Sequence, residues 1–295
     1  MSQSHKYTSI AEAISKKTQA SFIPTKQSAL SGGSISQSSR FQSEDGRVFF
    51  VKENNLGFFP FFKAEAQALL EIKNTQTIRV PEVITFGLTS HASFLVLEFM
   101  KEGSTSNLSS AQLGQDLAQL HLVRQPFFGW EIDNCIGATP QPNPKGENWA
   151  EFYRSHRLAH QFELAKEKNR EFEKVEELLQ GIPFFFQDYS PHPSLLHGDL
   201  WGGNASVDST GIPFVFDPAS YYGDREADIA FTYMFGGFSP SFYQAYNEVY
   251  PLDHGFKSRK SLYNLYHELN HFNLFGGGYA ASAQSSIFQL VSQFS

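Results

Sequence analysis

Leu195-Leu196-His197-Gly198-Asp199-Leu200-Trp201-Gly202-Gly203-Asn204, followed by Phe214-Val215-Phe216-Asp217, is the stretch on which the reading of this chain turns. Polar residues interrupt apolar, strand-like runs in both pieces. Taken singly, a Gly-flanked Asp199, an Asn204 and an Asp217 before Pro218 are ordinary turn residues or helix caps. Taken together they are a carboxylate able to orient and deprotonate a hydroxyl, an amide oxygen just downstream and a second carboxylate at a strand end. That set is what phosphoryl transfer from ATP requires. The reading makes Asp199 the base and gives Asn204 and Asp217 to Mg2+.

Asp199 and Asn204 stand five residues apart, the spacing of Asp and Asn in the protein-kinase catalytic loop. Working toward the N-terminus, Arg47 to Lys52 is a β-branched and aromatic run after the turn-like Glu44-Asp45-Gly46, and Ser93 to Met100 is a second run of strand length. Between them the apolar positions Phe61, Ala64, Ala68, Leu69 and Ile72 predict a helix over Phe61–Lys73. Lys52 then ends a strand, where a kinase places its phosphate-contacting lysine, and Glu65 in the helix is its predicted partner. Glu71 lies about 240° further around that helix and cannot face the same way. Gly32, Gly33 and Ser34 form a small-residue turn able to bring backbone amides to phosphates, although the segment does not match G-x-G-x-x-G. By position, Glu98 and Met100 are the candidate adenine-binding backbone groups.

The remaining pattern predicts an α+β chain with a small strand-rich lobe, residues 1–101, and a larger, mostly helical lobe, residues 102–295. Leu113, Leu117 and Leu120 follow helical spacing, as do Phe152, His156, Ala159 and Phe162, and Leu262–Leu274 is amphipathic. Gly129 to Gly146 reads as loop. The 295 residues carry 30 Phe, which predicts a ring-dominated core, and a formal charge of −7 with scattered Lys and Arg, which argues against a nucleic-acid partner. No apolar stretch approaches a bilayer span, and one cysteine, Cys135, allows no internal disulfide. The expectation is a cytoplasmic monomer without a membrane partner.

The chain resembles the fructosamine kinase (ketosamine-3-kinase) family, relatives of aminoglycoside phosphotransferases with a protein-kinase-like fold. Besides the His197 to Asn204 segment, the likeness rests on Asp217-Pro218-Ala219-Ser220-Tyr221-Tyr222-Gly223-Asp224-Arg225-Glu226-Ala227-Asp228, Phe128-Gly129-Trp130, Asn134-Cys135-Ile136-Gly137, Pro140-Gln141-Pro142-Asn143 and Trp149-Ala150-Glu151-Phe152-Tyr153. It implies a bilobal fold with a small antiparallel N-terminal sheet. It further implies transfer of the ATP γ-phosphate to the 3-hydroxyl of a fructosamine or ribulosamine, on a small amine or a lysine, as a step in deglycation. Trp201 and Tyr221 would flank the sugar, with Asp224 and Glu226 meeting its hydroxyls or amine; for Tyr221 and Asp228 a purely packing or loop-holding role is the alternative. Some members carry a redox-active cysteine in the glycine-rich loop, whereas Ser34 and its neighbours offer no thiol.

Two other readings remain open on the sequence. The same chemistry can serve an aminoglycoside, choline or another amino-sugar acceptor, because fold does not set substrate. Separately, His267-Glu268-Leu269-Asn270-His271 fits H-E-x-x-H and would be a zinc hydrolase signature, but a catalytic zinc needs a third ligand, and no His, Asp, Glu or Cys follows His271.

Overall fold

A computed structural model describes residues 3–30 and 35–295, residues 3–8 by backbone alone. The elements run α1 (Gln3–Thr18), β1 (Pro24–Leu30), β2 (Gln37–Ser43), β3 (Val48–Asn54), α2 (Phe59–Thr75), β4 (Val83–Leu88), β5 (Ser93–Glu98), α3 (Asn107–His121), β6 (Asn134–Ile136), β7 (Thr139–Gln141), α4 (Trp149–Tyr153), α5 (His160–Glu167), α6 (Val175–Gly181), β8 (Ser194–Leu195), β9 (Ala205–Val207), β10 (Pro213–Val215), β11 (Tyr222–Gly223), α7 (Glu226–Thr232), α8 (Pro240–Val249), α9 (Phe256–Phe275) and α10 (Tyr279–Val291). They fall into two compact units, Met1–Thr105 with Ser206–Phe216, and Ser106–Ala205 with Asp217–Ser295.

In the first unit five antiparallel strands stand in the order β1-β2-β3-β5-β4. The opening segment, polar overall, is nonetheless helical because Ile10 and Ile14 recur one turn apart; both are fully buried against Phe22, Phe41, Phe49, Val51, Phe94 and Val96. Phe49 and Val51 point into that core, so strand alternation turns Lys52 to the other face. There it meets α2, which starts with Pro60 in its first turn, buries Phe62, Ala66, Leu69 and Ile72, and stops at Gln76 in the left-handed region. The β9–β10 hairpin belongs to this unit in part: Val215 N–H donates to the Arg79 carbonyl at 3.0 Å and Gly103 N–H to that of Val207 at 2.7 Å.

The second unit opens on a capping box. The Ser106 hydroxyl accepts the Ser109 N–H at 3.1 Å and the Ser109 hydroxyl accepts the Ser106 N–H at 2.9 Å, which starts α3 where the sequence reads as polar linker. α3 lies so close to α8 that a Cβ on Gly114 would come within 2.2 Å of the Phe242 carbonyl oxygen. α4 and α5 are one continuous helix with a π-helical turn, Arg154–Ala159, between them. The expected loop from Gly129 to Gly146 instead contains the β6–β7 hairpin. Its polar side chains pair with distant backbone: Asn134 Nδ2 donates to the Ser220 carbonyl at 2.8 Å and Gln141 Nε2 to that of Ala219 at 3.1 Å.

Candidate active site

Asp199 sits in the loop between β8 and β9, and hydrogen bonds within the second unit hold that loop from three sides. Leu196 N–H donates to the Tyr221 carbonyl at 3.0 Å and Ala219 N–H to the His197 carbonyl at 2.9 Å, so the Asp217–Tyr222 segment runs alongside it. Gly198 adopts φ +84°, and a Cβ there would lie 2.1 Å from the Ala219 oxygen, so only glycine fits between the two segments. The Asn204 amide nitrogen donates to the Asp199 carbonyl at 2.8 Å and to its carboxylate Oδ2 at 3.0 Å. With its nitrogen so committed, the oxygen is the part of the Asn204 amide suited to a cation. Asp217 follows β10 at φ +57°, a strained conformation that Asp tolerates better than most residues and that concentrates at functional sites.

Asp228, at the start of α7, secures the loop from beneath. Its two carboxylate oxygens accept the His197 N–H at 2.7 Å and the Gly198 N–H at 2.8 Å. The His121 ring, wholly buried, joins it: Nε2 lies 3.2 Å from Asp228 Oδ2 and Nδ1 2.8 Å from the Tyr246 hydroxyl, which itself accepts from Arg225 at 3.0 Å. Arg225 leaves the Tyr246 proton for Nδ1, which assigns the imidazole proton to Nε2, facing Asp228. Burial pushes the His121 pKa down, in keeping with a neutral ring. His121 and Tyr246 were not among the residues singled out from sequence; a lone His on an apolar helix face gives no local sign of a partner more than a hundred residues away.

The expected substrate contacts separate. Trp201 is 36% exposed, its ring lying over Gly203, where a Cβ would sit 2.3 Å from it. Tyr221, Asp224 and Glu226 do not fit a role in touching substrate, because all three are buried and both carboxylates are taken. The Tyr221 ring packs beside the stacked Trp149 and Phe152 rings, 6.4 and 6.2 Å from their centroids, with the Arg157 guanidinium 4.0 Å over it. Asp224 accepts from the Tyr189 hydroxyl at 2.9 Å and from the Tyr263 hydroxyl, and Glu226 is doubly bonded by Arg259 at 2.7 and 3.1 Å. Burial raises both carboxyls, Glu226 to about 7, with the neighbouring Asp224 charge adding to the shift and Arg259 opposing it.

In the first unit Lys52 Nζ lies 2.8 and 3.0 Å from the Glu65 carboxylate oxygens, on side chains only 10% and 13% exposed. Glu98 is the last residue of β5 and Met100 lies just beyond it. Gly32, Gly33 and Ser34 fall outside the described residues, between strands that pair with Leu30 opposite Ser38. Cys135 is half-buried on β6.

The zinc reading fails on geometry. His267 is buried with its ring stacked on Phe231 at 3.5 Å, and His271 Nδ1–H donates to the His267 carbonyl at 2.6 Å. Among the described residues no group of three His, Cys, Asp or Glu side chains is placed to hold a metal, and no helix is long and apolar enough to cross a membrane.

A five-stranded antiparallel sheet with its Lys–Glu pair, together with a helical unit carrying the Asp199 loop, is the arrangement of the kinase-like small-molecule phosphotransferases. Choline kinase from Streptococcus pneumoniae shares the fold with a TM-score of 0.65 at 15% identity, over 98% of this chain and 100% of that one. The particular family follows from closer likenesses: residues 6–293 match the fructosamine kinase family, to which the chain belongs. It is 44% identical to a "probable ketoamine kinase" of Synechocystis over 97% of both chains, and 40% identical to the chloroplastic protein-ribulosamine 3-kinase of Arabidopsis thaliana over 89% of this chain and 82% of that one. The crystal structure of a fructosamine-3-kinase-like protein from Haemophilus somnus superposes with a TM-score of 0.91 at 32% identity, covering 96% of this chain and 97% of that one.

Proposed function

We propose that the protein transfers the γ-phosphate of ATP to the 3-hydroxyl of a ketosamine, a fructosamine or ribulosamine borne by a small amine or a lysine. The observation that carries this is the pinned pair at the heart of the loop: Asn204 Nδ2 on Asp199 Oδ2 at 3.0 Å, with Asp228 holding the two amides that precede Asp199. A base so fixed needs little reorganisation when a hydroxyl arrives.

Asp199 aligns the acceptor hydroxyl and takes its proton as the oxygen attacks phosphorus. Asn204, through its amide oxygen, and Asp217 would hold Mg2+, an all-oxygen donor set that suits that hard cation, and the cation would supply charge neutralisation to the transferring phosphoryl group. Lys52, paired with Glu65, is the residue suited to the α- and β-phosphates, and the Glu98 carbonyl and Met100 amide those suited to the adenine edge; Gly32, Gly33 and Ser34, outside the described residues, are assigned to the phosphates by sequence alone. Trp201 offers its exposed face to the sugar. Tyr221, Asp224 and Glu226 serve the site by packing beneath it.

The test is ADP release with Mg-ATP against a panel of sugar amines, with the product's phosphate located by NMR. Fructoselysine or ribuloselysine should be phosphorylated at the 3-hydroxyl, and Asp199→Ala should cost about 10²–10⁴-fold in kcat at unchanged Tm. Brisk transfer to an aminoglycoside or choline with none to any ketosamine would overturn the acceptor and leave the kinase chemistry standing.

A further inference from the structure

Phe235 joins a left-handed backbone to a ring that packs edge-on against Phe231, 6.3 Å away, and is still largely exposed. It lies after α7 at φ 56°, ψ 35°, left-handed values that a bulky side chain rarely adopts, and Gly236 and Gly237 follow at φ 103° and 77°. A backbone held under such strain is ordinarily repaid by burial of the side chain. This ring is 53% exposed. It stands at 69° to the Trp201 ring, with 5.5 Å between centroids, and at 63° to the His271 ring, 5.4 Å away. Trp201 packs against the bare backbone of Gly203, and His271 is fixed by its Nδ1–H on the His267 carbonyl. The result is a rigid corner of two partly exposed aromatic rings, one of them two residues from Asp199.

Resting on the acceptor reading above, we infer that the Trp201–Phe235 corner, backed by His271, binds the secondary ammonium of the ketosamine and the first carbons of its carrier, and that Phe235 sets preference for the carrier. A short run of carbons joins the 3-hydroxyl to the amine, so a hydroxyl delivered to Asp199 brings the nitrogen along the Trp201 side of the loop. Ring faces are the negative regions of aromatic side chains and attract a cation lying over them. A corner offers two such faces and an apolar wall for methylenes. The left-handed backbone at Phe235 then has a function: it sets the ring beside Trp201.

The experiment compares wild type with Phe235→Leu, Phe235→Tyr and Phe235→Gly, using an Nα-blocked fructoselysine and 1-amino-1-deoxyfructose, which lacks a carrier, as acceptors. Phe235→Leu, which keeps apolar bulk but has no ring face, should raise KM for the fructoselysine about tenfold while kcat and the KM for ATP stay within about twofold. Its effect on the carrier-free amine should be smaller, and Phe235→Tyr should restore wild-type values. Phe235→Gly, suited to the left-handed backbone, should bind fructoselysine as poorly as the Leu variant with Tm lowered by no more than about 2 °C. An unchanged fructoselysine KM in Phe235→Leu, or equal losses for both acceptors accompanied by a large drop in Tm in both the Leu and Gly variants, overturns the inference and makes Phe235 a packing residue. Wild-type protein that transfers phosphate to neither acceptor overturns the acceptor reading and this inference with it, whereas active wild type with an indifferent Phe235→Leu overturns this inference alone.

Discussion

Asp228 sets the geometry of the backbone that leads into Asp199, the residue proposed as the base. One buried carboxylate accepting two consecutive loop amides fixes the backbone just before Asp199, and His121 keeps that carboxylate in place. Hydrogen bonds to a charged group are worth about 1.5–3 kcal/mol each, so an amide in its place, which offers only one acceptor oxygen, should loosen the loop. Asp228→Asn is expected to lower kcat by about 10–100-fold with the KM for ATP little changed, as read by steady-state kinetics; a purely structural loss would instead reduce active protein and Tm together. Asn204→Ala should act differently, raising the Mg2+ concentration for half-maximal rate by about tenfold, and a rate with the wild-type Mg2+ dependence would remove Asn204 from the metal. Asp199 and Asn204 were legible because their relation is local, five residues apart in one loop. The part played by Asp228 was only one of two readings in sequence, since the amides it holds lie 30 and 31 residues away.

At the scale of elements, strand phase and helix phase together bring Lys52 to Glu65. β3 turns Phe49 and Val51 to α1 and Lys52 to α2, where Glu65 rather than Glu71 faces it. If the pair acts as a unit in holding phosphates, Lys52→Ala and Glu65→Ala should each raise the KM for ATP, and the double variant should be little worse than Lys52→Ala alone; strictly additive losses in a double-mutant cycle would separate them. The β9–β10 hairpin has its own anchor. Asp208 accepts the Thr210 hydroxyl at 2.6 Å and the Thr210 and Ile212 amides at 2.8 and 3.0 Å, and pairs with Arg79. The Thr210 hydroxyl first, and then these amides and Arg79, hold its carboxyl down at about 2, against an ordinary value of 3.8. A depressed carboxylate stabilises the fold above its unfolded pKa and loses that contribution as pH falls toward the folded one. Asp208→Asn should therefore flatten the fall of Tm between about pH 4 and pH 2, and an unchanged acid limb would show that the hairpin does not depend on the charge. Elements whose apolar spacing was strong were predicted nearly to their ends, such as Phe61–Lys73 within α2; the β6–β7 hairpin was not, because its few residues are held by side chains bonded to Ser220 and Ala219 rather than by their own pattern.

For the whole molecule, the nucleotide and its metal are the expected linkage to stability. Mg-ATP at about 100 times its Kd should stabilise the fold by about 2.7 kcal/mol, visible as a rise in Tm that EDTA reverses and fresh Mg2+ restores. Zinc should restore nothing, given that His267 is stacked on Phe231 and buried. Stoichiometric zinc in the purified protein, with activity lost on its removal and not recovered with Mg2+, would contradict this.

The sequence by itself pointed to the chemistry proposed for Asp199, Asn204 and Asp217: they are close in the chain, and the residue types that phosphoryl transfer needs can be recognised wherever their spacing is short. It also determined the family, through motifs spread along the chain. Only the tertiary structure decided which of the neighbouring polar and aromatic residues face outward. Asp224 and Glu226 look as available as Asp199 in one dimension, but Tyr189, Tyr263 and Arg259 arrive from distant segments to bury them, while Trp201 and Phe235 are left in the open. Burial is a property of what packs against a residue, and those partners are chosen by the fold rather than by sequence neighbours.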